Sequence, residues 1–185
     1  MRRCWHKQIC RIKKRSRDFL LRLFFRRLST RRKIIGIKNF HGSVDITDPC
    51  YDRDVWCCMN DVKIKDGEYT CAIWMHTEKG EYDGEPCIDR RVGIIGIYLD
   101  GAIPCQRAME EIGSIGVDAG LAGFFHKKPD YDDAAWSSFC DTIQTGSAWL
   151  TKDGFFSSSG YGDGGYGVYA HKTDGEIDAL EIRFL

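Results

Sequence analysis

Acid is nearly missing from the first 33 residues: Asp18 stands alone there against 14 Lys and Arg. Turn formers are missing too, since all 20 glycines and all four prolines follow position 35. Nothing in that stretch breaks a regular element. No apolar run approaches the roughly 20 residues that cross a bilayer. Charges threaded through the N-terminal apolar residues also deny it the h-region of a secretory signal. No GxxxxGK[ST], no HExxH and no GxSxG occurs, which removes the P-loop, the zincin helix and the nucleophile elbow. The nine cysteines, at 4, 10, 50, 57, 58, 71, 87, 105 and 140, are odd in number and irregular in spacing. Secreted disulfide scaffolds are usually short with even counts, so the expectation is a reducing, cytoplasmic interior. The stretch CYDRDVWCC, residues 50–58, lacks a paired CxxC or a following HxxxH, and its thiols read as structural rather than as zinc ligands.

What is there divides in two. The chain of 185 residues carries 27 basic and 27 acidic side chains. The balance hides a leader of charge +13 over residues 1–33 and a remainder of −13. The composition changes near Ile34–Gly36, which predicts a basic amphipathic helical arm over 1–35 and an acidic β-rich domain over 36–185. Ile9, Ile12, Leu20, Leu23, Phe24 and Leu28 recur at roughly helical spacing, with Arg11, Lys14, Arg15, Arg22 and Arg26 filling much of the rest. Such a helix suits nucleic acid through counterion release. It equally suits an anionic membrane surface, with its Leu and Phe stripe beneath a basic face. The plainer reading is a packing helix, or a leader neutralised by the acidic body.

From Ile34 onward short β-like runs alternate with turns. EYTCAIWMH sets Tyr69, Cys71, Ile73 and Met75 on one face and Thr70, Ala72, Trp74 and His76 on the other. RVGIIGIYL is apolar on both faces, as a central strand should be. Asp-Gly occurs six times, at 66–67, 83–84, 100–101, 153–154, 163–164 and 174–175. Each is a hairpin signal, because glycine accepts φ > 0, and together they predict an antiparallel meander. One helix interrupts, within PDYDDAAWSSFCDTIQTG, with Trp136, Phe139, Cys140 and Ile143 on one apolar face. The expected fold is mainly β (α+β): an antiparallel β roll or sandwich with one covering helix, preceded by the basic N-terminal helix.

ITDPCYD (46–52), IGVDAGLAGFF (115–125) and SSSGYGDGGYGVY (157–169) together resemble a group of bacterial and phage proteins related to the domain of unknown function 4241. The shared features are an early Asp-Pro-Cys-Tyr turn, a central Val-Asp-Ala-Gly strand end and a late Gly-Asp-Gly hairpin before the final strand. The resemblance covers residues 36–185. It implies a shared β fold and no particular activity.

Two places carry candidate chemistry. In the glycine-rich loop, Ser159, Gly160, Tyr161, Gly162, Asp163, Gly164 and Tyr166 form a candidate ligand site, whose successive N–H groups suit an anion. The plainer reading is a tight hairpin whose tyrosines fill a core. Asp48, Asp118 and Asp163 lie near strand ends. If they converge, they suit a hard cation, with Asp118 and Asp163 the candidate catalytic carboxylates of a hydrolase. Otherwise they are turn formers. No cofactor is expected. The leading expectation is an accessory binding domain of bacterial or phage origin, engaging a protein or a small anionic ligand, with residues 1–33 for polyanion contact. The alternatives are the hydrolase and a phage-encoded inhibitor whose acidic body fills the basic groove of a nucleic-acid enzyme.

Overall fold

The computed structural model describes the backbone of residues 26–185 and the side chains of residues 31–185. Eleven strands carry the fold: β1 (Arg26–Phe40), β2 (Ser43–Thr47), β3 (Met59–Lys63), β4 (Gly67–Tyr82), β5 (Glu85–Leu99), β6 (Glu110–Val117), β7 (Leu121–Phe125), β8 (Ala148–Leu150), β9 (Gly154–Ser158), β10 (Gly164–Thr173) and β11 (Glu176–Arg183). They form two antiparallel sheets, ordered β1-β4-β5-β11-β10-β6 and β3-β2-β7-β9-β8. The main core lies between them. The first sheet contributes Tyr69, Cys71, Ile73, Ile95, Ile97, Leu180 and Ile182, and the second Val44, Ile46, Phe124 and Phe155. The mainly-β expectation holds at this level.

Local pattern accounts for much of it. On β4, Tyr69, Cys71 and Ile73 are buried in the main core. Ala72 and Trp74 face the other way, into a smaller cluster with Tyr98, Met109 and Ala179. The apolar second half of β5, residues 92–99, is central, between β4 and β11. The helix α1 (Asp133–Thr142) is capped by Asp132, whose carboxylate accepts the Ala135 N–H at 2.8 Å. Its Phe139, with Trp136 and Ile143, covers Leu121, Phe125 and Phe156 on the outer face of the second sheet. Burying one such phenyl ring stabilises the fold by about 1.5–3 kcal/mol.

Three expectations change. First, the end of the basic stretch is strand. Residues 26–35 belong to β1, which pairs antiparallel with β4 from Arg26↔Lys79 to Phe40↔Gly67. A long non-local ladder overrides the helical spacing of that short segment. The rest of the expected helix, with Arg11, Lys14, Arg15 and Arg22, lies outside the described residues. Second, no linker separates the two charge regimes. β1 runs through Ile34–Gly36 with a register shift between Ile34 and Gly36. There it passes from exposed Arg31–Ile34 to the sandwich, where a Cβ on Gly36 would meet Leu150 Cδ2 at 2.7 Å. Third, the strands do not run as a simple meander, since β5 pairs next with β11 and β10 with β6. Only Asp83-Gly84 and Asp174-Gly175 close two-residue hairpins, with both residues of each at positive φ. Asp100-Gly101 also has positive φ at both positions, but it leads into residues 102–109 and not into a paired strand.

Candidate functional site

Strand direction gathers the interesting loops at one end of the sandwich. β2 ends at Thr47 beside the start of β7, and Leu121 of β7 pairs with Ser158 at the end of β9. In the other sheet Val117, ending β6, pairs with Gly164, starting β10. The loops 48–58, 118–120 and 159–163 therefore share that end. The β4–β5 hairpin extends the same way, because β11 runs from Ala179↔Tyr98 to Arg183↔Ile94.

Asp48 is wholly buried, and its carboxylate works on backbone. Oδ1 accepts the Cys50 N–H at 2.9 Å; Oδ2 accepts those of Asp118 at 2.9 Å and Ala119 at 2.7 Å. Burial pushes its pKa up, against the pull of those donors. Asp48 thus ties the ITDPC turn to the β6–β7 turn. Asp118 is exposed and meets Asp48 through its amide. Asp163, also exposed, precedes the Gly164↔Val117 pair and so stands at the same sheet end as Asp118. The three aspartates lie at the same end of the sandwich, and among the described residues no group of three or more His, Cys, Asp or Glu is placed to hold a metal. Both Asp48 oxygens accept from backbone N–H donors.

The outer face of β2 holds a second carboxylate. Asp45 is buried and takes a two-pronged contact from Arg53, Nε at 2.7 Å and Nη2 at 2.9 Å, plus the N–H groups of Asp61 and Lys128. Burial works to raise its pKa, but the Arg53 and backbone hydrogen bonds outweigh it and the pKa falls below the usual value. Around this pair lie the thiols. Cys58 Sγ is 2.8 Å from Thr47 Oγ1, and burial and the Asp48 charge raise the Cys50 thiol strongly. Cys50, Cys57, Cys58, Cys71, Cys87 and Cys105 are free thiols. Half-buried thiols with a raised pKa are poor nucleophiles.

The glycine-rich loop is built by tyrosines lying over glycines. A Cβ on Gly164 would come within 3.4 Å of the Tyr166 hydroxyl, one on Gly167 within 2.9 Å of the Tyr169 ring, and one on Gly96 within 2.0 Å of the Tyr98 hydroxyl. Residues i and i+2 share a face of a strand, so a ring can lie flat only where its predecessor lacks a side chain. The G-x-Y spacing is therefore a packing device, used three times. Tyr166 reaches back to donate to the carbonyls of Gly162 at 2.7 Å and Ser159 at 3.2 Å. Ser159 Oγ donates to Gly162 O, while the N–H groups of Ser159 and Gly162 already serve Gly120 O and Ser159 O. Two of the amides an anion nest needs are thus used within the fold.

Tyr161 leads to a cluster that the motifs did not single out. Its ring lies under the Arg91 guanidinium at 4.2 Å, and its hydroxyl donates to Glu78 Oε2 at 3.4 Å. Glu78 Oε1 is 2.6 Å from His76 Nε2, and Arg91 Nε donates to Asp89 at 2.6 Å and Nη1 to Gly160 O at 3.3 Å. The register sets His76 opposite Arg91 and Glu78 opposite Asp89. His-x-Glu and Asp-x-Arg could be read from the sequence as same-face pairs, but not their mutual register. The charges satisfy one another, and the cluster clamps the loop to the projecting hairpin. Elsewhere at this end, Trp56 is 93% exposed. No family model, curated protein or solved structure matches the chain.

Proposed function

We propose that the protein is an accessory binding domain whose cationic sheet edge engages a polyanion. One observation carries this. Arg31, Arg32 and Lys33 are exposed on β1, the edge strand of the six-stranded sheet, opposite Met75, Trp74 and Ile73. No described carboxylate forms an ion pair with any of them. Their charge is held on a hydrogen-bonded strand and is continuous in sequence with the basic residues before it. Nucleic-acid phosphates or an anionic lipid surface answer that chemistry.

Other observations favour binding over hydrolysis. Asp118 and Asp163 are exposed, and the amides of the glycine loop are partly committed. No helix among the described residues is long and apolar enough to cross a membrane. The free thiols suit the reducing cytoplasmic setting of this reading. Kinship with the domain of unknown function 4241 belongs to the same proposal and rests on the three quoted motifs.

The test is binding of the full chain to a DNA duplex and to anionic vesicles over a salt series, beside a variant carrying Arg31→Gln, Arg32→Gln and Lys33→Gln. If all three contact phosphates, the slope of log K against log salt falls by roughly 2–3 units in the variant. An unchanged slope and affinity would sink the proposal. Binding to vesicles alone would assign the edge to a lipid surface.

A further inference from the structure

We propose that the loop between β2 and β3, residues 48–58, docks a Lys/Arg-bearing segment of a second protein, with the Trp56 indole as its anchor. The first ground is exposure in a rigid setting. At 93%, Trp56 is the most exposed large hydrophobic side chain among the described residues. A floppy tip would explain that cheaply, but this loop is tied at several points along its length. The Cys50 N–H donates to Asp48 Oδ1 at 2.9 Å, Tyr51 N–H to Asp48 O at 3.2 Å and Cys58 N–H to Val55 O at 3.0 Å. Gly116 N–H donates to Cys57 O at 2.9 Å, and Asn60 Nδ2 to Asp54 Oδ1 at 3.2 Å. Arg53 fastens the loop to buried Asp45. Cys57, next to the indole, is buried. Asp54 is held at φ 66°, a conformation that costs energy for any residue but glycine. The backbone is thus fixed while the Trp56 ring points to water. Pre-organisation of that kind lowers the entropy lost on binding.

The second ground is charge. Asp52 and Asp54 are exposed within the loop, Asp61 is exposed beside it, and exposed Asp118 follows the Gly116 that is bonded to Cys57. The loop's only base, Arg53, is spent on Asp45 and Asp61. An exposed indole between exposed Asp52 and Asp54 on one side and the strand beyond on the other fits a cation: the guanidinium or ammonium lies on the ring face, worth about 0.5–1 kcal/mol exposed and about 2 kcal/mol once water is excluded. Trp and Arg also dominate interface hot spots. The loop's exposed carboxylates repel nucleic acid and anionic lipid. This inference uses the opposite charge and a different surface from the polyanion edge, so either stands without the other.

The experiment titrates the full-length protein with an Arg-Gly repeat peptide and with the same peptide carrying Gln for Arg, followed by calorimetry and by the Trp56 indole N–H resonance. The Arg peptide should bind and shift that resonance. Trp56→Ala, which removes an exposed ring and leaves the melting temperature unchanged, should weaken binding at least about tenfold. Asp52→Asn with Asp54→Asn should weaken it several-fold and flatten its salt dependence, and the Arg31/Arg32/Lys33 variant should bind the peptide as the parent does. Equal binding by Trp56→Ala, or equal binding of the Gln peptide, would overturn the proposal. So would a Trp56 resonance that moves with protein concentration alone, which assigns the surface to a second copy. A rise in peptide affinity when Arg11, Lys14, Arg15 and Arg22 become Gln would assign it to the chain's own leader and likewise overturn it.

Discussion

Replacing Asp48 by Asn sets two large effects against each other, and their balance decides what this carboxylate does. Burial raises its pKa, so the ionised form is disfavoured in the fold, and a neutral Asn would relieve that cost. Against this stand three backbone N–H groups, from Cys50, Asp118 and Ala119, aimed at its two oxygens. An Asn has one acceptor oxygen. In one orientation it leaves the Cys50 amide unpartnered, in the other those of Asp118 and Ala119, and its own NH₂ then faces donors. Each buried orphan costs about 1–3 kcal/mol. The amides win: the expected loss is about 2–4 kcal/mol, a sizeable share of the 5–15 kcal/mol that holds a typical domain together. At about 2–4 °C per kcal/mol for a chain of this size, the melting temperature should fall by roughly 5–15 °C. Urea denaturation and calorimetry read this directly. Asp118→Asn is the control, since its side chain is exposed and the change should stay within about 0.5 kcal/mol. An Asp48→Asn protein as stable as the parent, or more stable, would refute the assignment of Asp48 as the pin between two turns.

Two further outcomes follow from the packing and charge described above. Gly96→Ala drives a Cβ into the buried Tyr98 ring and should cost about 1–3 kcal/mol, whereas Gly165→Ala, with nothing within 4 Å of its Cβ, should be near neutral; equal melting temperatures would discredit the tyrosine-over-glycine device. Asp45 has a folded pKa below its unfolded value of about 3.9, so the stability it contributes is fully present above that pH and is lost as pH falls through the folded value. Acid titration of stability should therefore flatten in that window in Asp45→Asn, and an unchanged profile would contradict the pairing with Arg53.

The sequence was legible where the signal was local. Thr173-Asp174-Gly175-Glu176 marks a two-residue turn whatever surrounds it, and the hairpin β10–β11 is there. The alternation of β4 and the apolar run of β5 showed their faces and centrality for the same reason. Arg26–Lys33 was misread because neither alternation nor turn chemistry marks RRLSTRRK. Its strand character comes from β4, 40 or more residues away in the chain. The glycine loop was singled out for its amides, and the packing of Gly164 and Gly167 under the rings of Tyr166 and Tyr169 was not read. Convergence was the hard part. Asp48 meets Ala119 across 71 positions and Tyr161 meets Glu78 across 83, distances over which spacing carries no information.

The place of β11 in the first sheet governs how this protein can be made. β11, which follows every other described strand in the chain, lies in the middle, between β5 and β10. Until residues 176–183 emerge, the nascent polypeptide holds β1-β4-β5 and β10-β6 as separate ribbons with raw edges. Phe184, which seals the core and donates its N–H to Gly93 O, is later still. Closure therefore waits on long-range pairing, which is slow by the standards of local folds and exposed to misassembly during the wait. Loss of residues 176–184 would strike the keystone of the molecule.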